Sequence, residues 1–320
     1  HDMGLIGAWL GSLYYAMLLV VMPPLSFLAR PERWLWAIHR YRGTLSASPN
    51  FGYEYCLKRL KDEDLEGLDL NCWRAAFNGA EAISPDTLQQ FKSRFANYGF
   101  HAGAMMPVYG LAESSVGLAF PPLNRGPVID QVERSTFMHS GQANPEPGSG
   151  QHALHFVSSG SPLPGHQIRI ADQAGHELPE RQEGRLEFRG PSTTSGYYRD
   201  ADNTRKLFHQ DWLDSGDLAY IANGEVYITG RIKDIIIRAG RNIYPHELEE
   251  AVGNIPGIRT GRVAVFGSVD TRTATERLIV LAETRSKDAV EREKLRTGIN
   301  TLAIDLVGAP PDEVVLAPPG

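Results

Sequence analysis

Val108-Tyr109-Gly110-Leu111-Ala112-Glu113 lies near the middle of the chain, and its reading decides what the flanking segments are for. Two later segments belong with it: Trp212-Leu213-Asp214-Ser215-Gly216-Asp217, and Gly230-Arg231-Ile232-Lys233-Asp234 followed by Gly240-Arg241-Asn242. An aromatic ring beside a flexible glycine can stack on a base. One carboxylate can chelate the two hydroxyls of a ribose, another can hold Mg²⁺, and an arginine can meet a phosphate. Each piece alone is weak, and together they suggest a bound nucleotide.

Outward from that stretch the chain alternates between helical and strand periods. Residues 31–41 carry Trp34, Leu35, Ile38 and Tyr41 at helical spacing behind Pro31, a residue suited to a first turn. Ser84-Pro85 opens a second helix through Leu88, Phe91 and Phe95, with Ser84 as N-cap. Strand, helix, strand predicts a parallel sheet, whose ligands gather at the carboxyl ends of its strands, where Gly79-Ala80-Glu81 and Tyr109-Gly110 fall. From about Phe156 short strands alternate instead: Ile168 and Ile170, Leu186 and Phe188, a turn at Asp172-Gln173-Ala174-Gly175, and a strand at 225–229. These predict a small antiparallel barrel.

After Lys233 come a strand at 235–237, a helix opened by Pro245 with Glu247 and Glu249 in its first turns, and strands near 263–265 and 279–281. A helix using Val290, Leu295, Ile299 and Leu302 follows. The expected fold class is therefore α/β: a parallel-sheet part (1–155), a small antiparallel β-barrel (156–232), and a compact α+β C-terminal domain (233–320).

The chain has 320 residues, 42% hydrophobic and 22% charged, which is ordinary for a soluble protein and enough for two domains. A net charge of -6, with no basic stretch, argues against a nucleic-acid partner. Cys56 and Cys72 form no CxxC or zinc spacing and no disulfide framework, so a reducing cytoplasm is the expected compartment. Residues 5–28 hold no charge and are long enough to cross a bilayer, but Pro23-Pro24 interrupts them and Gly7, Gly11 and Ser12 dilute them. A short helix followed by a buried strand at Ala16-Met17-Leu18-Leu19-Val20-Val21 is the preferred reading, with no integral membrane segment.

Taken in order, His1-Asp2-Met3-Gly4, Asn78-Gly79-Ala80-Glu81, Tyr109 to Glu113, Ser215-Gly216-Asp217 and the segment 230–245 resemble the adenylate-forming superfamily of acyl-CoA synthetases, luciferases and peptide-synthetase adenylation domains. Within it the chain looks most like the fatty acyl-AMP ligases, and the resemblance runs nearly end to end. It implies ATP-dependent adenylation of a fatty acid with release of pyrophosphate, with ATP and Mg²⁺ as cofactors and an acyl carrier protein or CoA as acceptor. It also implies that 1–155 and 156–232 are subdomains of one large domain and that the small C-terminal domain, 233–320, is mobile.

The roles that the resemblance implies compete with plainer ones. A lone Tyr109 reads as a core aromatic; in its motif it packs on adenine, Gly110 lets the backbone approach, Leu111 and Ala112 complete the nucleotide contact, and Glu113 supports Mg²⁺ near the α-phosphate. Gly79, Ala80 and Glu81 line the adenine pocket. Asp217 could cap a turn, or hold the ribose diol. Arg231 could be a solvated charge, or contact ribose or phosphate, while Ile228 flanks the purine and Lys233 is the hinge. His1 aligns with a histidine beside the acyl carboxylate. Trp9, Leu10, Leu13, Met105 and Met106 are candidate linings of an acyl tunnel or plain core.

Two departures stand out. No glycine- and Ser/Thr-rich phosphate loop ending in lysine occurs, and the chain ends before the catalytic-lysine segment of the family, so a fragment unable to adenylate efficiently alone is expected. Residues 121–153 hold many turn formers and no helical or strand period. They read as a surface loop, or, by resemblance, as the insertion that fatty acyl-AMP ligases carry and acyl-CoA ligases lack. An acyl-CoA synthetase and a non-catalytic nucleotide- or acyl-binding remnant are the alternatives to the ligase.

Overall fold

The computed structural model describes residues 2–146, 153–238, 241–269 and 276–319. The chain divides into two compact units: His1–Gln131 with His155–Ser215 and Ala219–Ile228, and Val132–Leu154 with Gly216–Leu218 and Thr229–Gly320.

The first unit is built on a three-stranded parallel sheet. Ala75–Asn78 lies between Leu45–Ser48 and Met105–Pro107, and the helices Asn50–Arg59 and Pro85–Phe95 make the two crossovers. The expected helix start is borne out: Ser84 Oγ accepts from Thr87 N, and Pro85 occupies the first turn. The core that these helices cover is aromatic. Trp73 is 1% exposed and meets Trp34 and Phe100 edge-on at centroid distances of 5.3 and 5.2 Å, while its Nε1 donates to Ala75 O at 3.0 Å.

An antiparallel sheet follows in the order Phe208–His209, Trp212–Ala222, Gly184–Arg189, Gln167–Ala171, with Glu225–Arg231 also paired to Trp212–Ala222. Leu186, Phe188 and Ile170 turn into its core with Leu118 and Ala119. On the other side of the pleat Arg169 and Arg189 lie over the Trp212 ring. The predicted turn forms as read: Gly175 takes φ +84° and donates to Asp172 O, while Asp172 Oδ1 accepts from Ala174 N and His176 N.

In the second unit Glu276–Thr284 pairs antiparallel with Ile258–Val269 and parallel with Glu313–Ala317. Pro245 opens the helix Pro245–Gly253. The helix Ala289–Val307 starts at Asp288, whose carboxylate accepts from Glu291 N, stops at left-handed Gly308, and buries Leu295, Ile299, Ala303 and Val307.

Two expectations are corrected. Ala16 to Val21 form no strand. Leu18 and Val21 are each 78% exposed, because the strands described in this unit pair with one another and none offers these residues a ladder. The helices before them, Met3–Leu10 and Gly11–Tyr14, are short, and among the described residues no helix is long and apolar enough to cross a membrane. The stretch 121–153 is not all loop. It contains a strand, Ile129–Val132, and a helix, Arg134–Ser140, capped by Glu133 accepting from Ser135 N and Thr136 N and ended by left-handed Gly141. Phe137 packs on Tyr244, and the Arg134 guanidinium pairs with both carboxylate oxygens of Glu247. Residues 147–152, part of the same expected loop, lie outside the described residues.

Candidate nucleotide site

The loops after the second and third parallel strands meet through their backbones. Val108 N donates to Asn78 O at 2.8 Å, and a Cβ added at Gly79 would stand 2.7 Å from Val108 O, so only glycine allows this approach. Ala80 follows at φ 71°, in the left-handed region. Glu81 Oε1 accepts from Phe51 N at 2.5 Å, which ties the loop to the first turn of the Asn50–Arg59 helix.

Tyr109 bridges to Ala119, its N–H donating to Ala119 O at 3.0 Å, and its ring packs with Leu111 on the core cluster of the antiparallel sheet, as does Ile228. Gly110 is the tightest position: a Cβ there would fall 1.7 Å from Val116 O. The turn closes through Ala112–Ser114, a single 3₁₀ turn, and then Ser115 and Val116 at φ 55° and 89°. It presents Glu113 half-buried, with Oε1 accepting from Tyr197 Oη at 2.6 Å. Glu113 Oε2 takes no hydrogen bond among the described residues.

The segment carrying Tyr197 was not singled out in the sequence. It is laced to the turn at three further points: Thr194 N to Glu113 O at 2.8 Å, Ser192 Oγ to Ser114 O at 2.7 Å, and Ser115 Oγ to Ser192 O at 2.9 Å. The carboxylate beside it pushes the Tyr197 phenol up to about 12, chiefly through their hydrogen bond, so it stays protonated and donates. The run Ser192-Thr193-Thr194-Ser195-Gly196-Tyr197-Tyr198, small and polar before two tyrosines, was the available signal.

In the second unit Asp217 and Arg231 come together, with Arg231 Nε 3.7 Å from Asp217 Oδ1; the Asp217 side chain is 15% exposed and that of Arg231 60%. Ile232 N donates to Gly216 O at 3.0 Å and holds the two strands in register there. Lys233 is exposed in the turn that follows. Among the acyl candidates, Met105 and Met106 are buried, whereas Trp9, Leu10 and Leu13 are exposed. His1 lies outside the described residues, as does Gly240.

Among the described residues no group of three or more His, Cys, Asp or Glu could hold a metal ion by itself. One half-buried carboxylate with a free oxygen fits Mg²⁺, which is commonly held by one or two carboxylates together with substrate phosphates and water. A cleft of about 740 Å³ in the second unit is lined by Arg134, His139, Arg241 and Asp305, and of the residues in the sequence motifs it includes only Arg241.

A parallel sheet with glycine-tight loops at its carboxyl ends, followed by an antiparallel sheet, places the chain in the α/β class, in which ligands gather at those strand ends. Residues 1–198 match the family model described as AMP-binding enzyme, and the chain belongs to that family. It is 34% identical over 325 residues to the medium-chain-fatty-acid–acyl-carrier-protein ligase JamA of Moorena producens, covering 98% of this chain and 54% of that one. It is 32% identical over 338 residues to the long-chain-fatty-acid–AMP ligase FadD26 of Mycobacterium marinum, covering 100% of this chain and 57% of that one. A solved structure from a study of fatty acyl-adenylate ligases of E. coli and L. pneumophila superposes with a TM-score of 0.92 at 36% identity, over 100% of this chain and 57% of the other. The chain thus spans about half the length of the curated relatives it matches.

Proposed function

We propose that the chain is part of an enzyme that adenylates a fatty acid with ATP and passes the acyl group to an acyl carrier protein or a similar acceptor. The observation that carries this reading is the Tyr109 to Glu113 turn, closed around Gly110 and presenting a single oriented carboxylate. The similarity to JamA and FadD26 supports the substrate class.

In this reading a carboxylate oxygen of the fatty acid attacks the α-phosphorus, the bond from that phosphorus to the bridging oxygen breaks, and its electrons leave with pyrophosphate. Tyr109 packs on the adenine, with Gly79, Ala80, Leu111, Ala112 and Ile228 around it, and Glu81 fixes the pocket loop through Phe51 N. Asp217 takes the ribose hydroxyls. Arg231, close enough to Asp217 to pair with it, offers its guanidinium to ribose or phosphate. Glu113 would hold Mg²⁺ together with the ATP phosphates, and the ion would supply charge that offsets repulsion between the two reacting anions. The divisions 1–155, 156–232 and 233–320, with Lys233 as hinge, remain the proposed domain plan. Cys56 and Cys72 are unpaired thiols, which suits a cytoplasmic setting.

The test supplies the full-length gene product with fatty acid, ATP, Mg²⁺ and CoA and identifies products by mass spectrometry. Acyl adenylate without acyl-CoA is the expected result. Acyl-CoA would make it a synthetase, and no nucleotide turnover would defeat the adenylation reading.

A further inference from the structure

Four contacts join the 192–197 strap to the Tyr109–Glu113 turn, and they divide into two kinds. Three of them end on backbone carbonyls, those of Glu113, Ser114 and Ser192, and these fix the path of the turn. The fourth, from the Tyr197 phenol, reaches a side chain. Removing it leaves the turn held and the Glu113 carboxylate free to rotate. We propose that Tyr197 is a positioning residue, which locks the Glu113 carboxylate through Oε1 and so aims Oε2 at the divalent cation that accompanies ATP. This rests on the reading of Glu113 as the carboxylate that faces Mg²⁺.

The strap itself is braced for the task. Gly196 adopts φ 137°, a Cβ there would strike the Thr204 side chain, and Tyr197 N donates to Thr204 Oγ1 at 2.9 Å. The Tyr197 backbone is therefore tied to the Ala201–Leu207 helix while its hydroxyl is tied to Glu113. A protonated phenol hydrogen-bonds one carboxylate oxygen without neutralising the charge, which is how a partner behind a metal ligand fixes its orientation while leaving it able to bind.

The test titrates Mn²⁺ by electron paramagnetic resonance into the full-length protein with a non-hydrolysable ATP analogue, comparing wild type, Tyr197→Phe and Glu113→Gln. Thermal midpoints are measured alongside. Tyr197→Phe is expected to weaken Mn²⁺ binding about tenfold, the lower end for loss of a partner behind a metal ligand, with little change in midpoint and in nucleotide affinity without metal. Unchanged or tighter Mn²⁺ binding in Tyr197→Phe, with Glu113→Gln still weakened, overturns the proposal alone. A lowered midpoint with wild-type Mn²⁺ affinity also overturns it, leaving Tyr197 a structural brace. If Glu113→Gln binds Mn²⁺ as wild type does, the assignment of Glu113 fails and the proposal falls with it.

Discussion

Glu133 caps a helix that the sequence pattern did not announce, and removing its carboxylate has a consequence with a definite pH dependence. Ser135 and Thr136, through side chains and backbone N–H groups, hold it down to about 2 from the usual 4.5. Taken without screening, that difference corresponds to roughly 3 kcal/mol. The group is partly exposed, so water and salt reduce it to about 1 kcal/mol, the typical worth of an N-cap. Because the folded-state value is depressed, the stabilisation is fully present above the unfolded value near 4.5 and is lost as pH falls from there toward 2. Urea unfolding of wild type and Glu133→Ala, followed by far-ultraviolet circular dichroism between pH 7 and pH 2.5, measures it. The two should differ by about 1 kcal/mol from pH 7 to about 5 and converge below that. A gap that stays constant to pH 2.5, or widens on acidification, would refute the reasoning.

Two further outcomes follow from the same geometry. Gly110→Ala should disrupt the Tyr109 turn, since the added carbon would lie 1.7 Å from Val116 O, and binding of a fluorescent ATP analogue should fall by about tenfold or more; unaltered binding would separate this turn from the nucleotide. Burial pushes the Cys56 thiol up to about 12, so brief alkylation of native protein at pH 8 should label Cys72 well before Cys56 by peptide mass spectrometry, and equal labelling would mean that the aromatic core opens readily.

What could be read from the sequence was whatever a local period or cap encodes. The Pro85–Phe95 helix announces itself through Ser84, Pro85 and an apolar stripe, and Ala289–Val307 through the spacing of Leu295, Ile299 and Leu302, although Val290, read as part of the same stripe, is 64% exposed. The Arg134–Ser140 helix has seven residues and buries only Phe137 and Met138, which are adjacent, so no 3.6-residue period can be measured in it; Glu133 and Gly141 were the only marks. Ala16 to Val21 failed for the opposite reason. Their composition suits a strand, but a strand exists only where a neighbour supplies the ladder, and composition carries no information about that neighbour.

The candidate site divides along the same line. Gly79 and Gly110 were singled out by the motifs that carry the family resemblance, and the structure supplies the physical reason for them: a close backbone approach excludes every residue but glycine, so the tertiary contact is recorded at the position itself. Tyr197 meets Glu113 across 84 residues, and neither residue type is forced by the contact, since a tyrosine on an exposed strap and a glutamate in a turn are ordinary by themselves. A steric constraint is therefore written into one residue, while a hydrogen bond between side chains is written only into the fold that brings the two together. For this reason the loops could be located from the sequence, whereas the hydroxyl that holds the Glu113 carboxylate required coordinates.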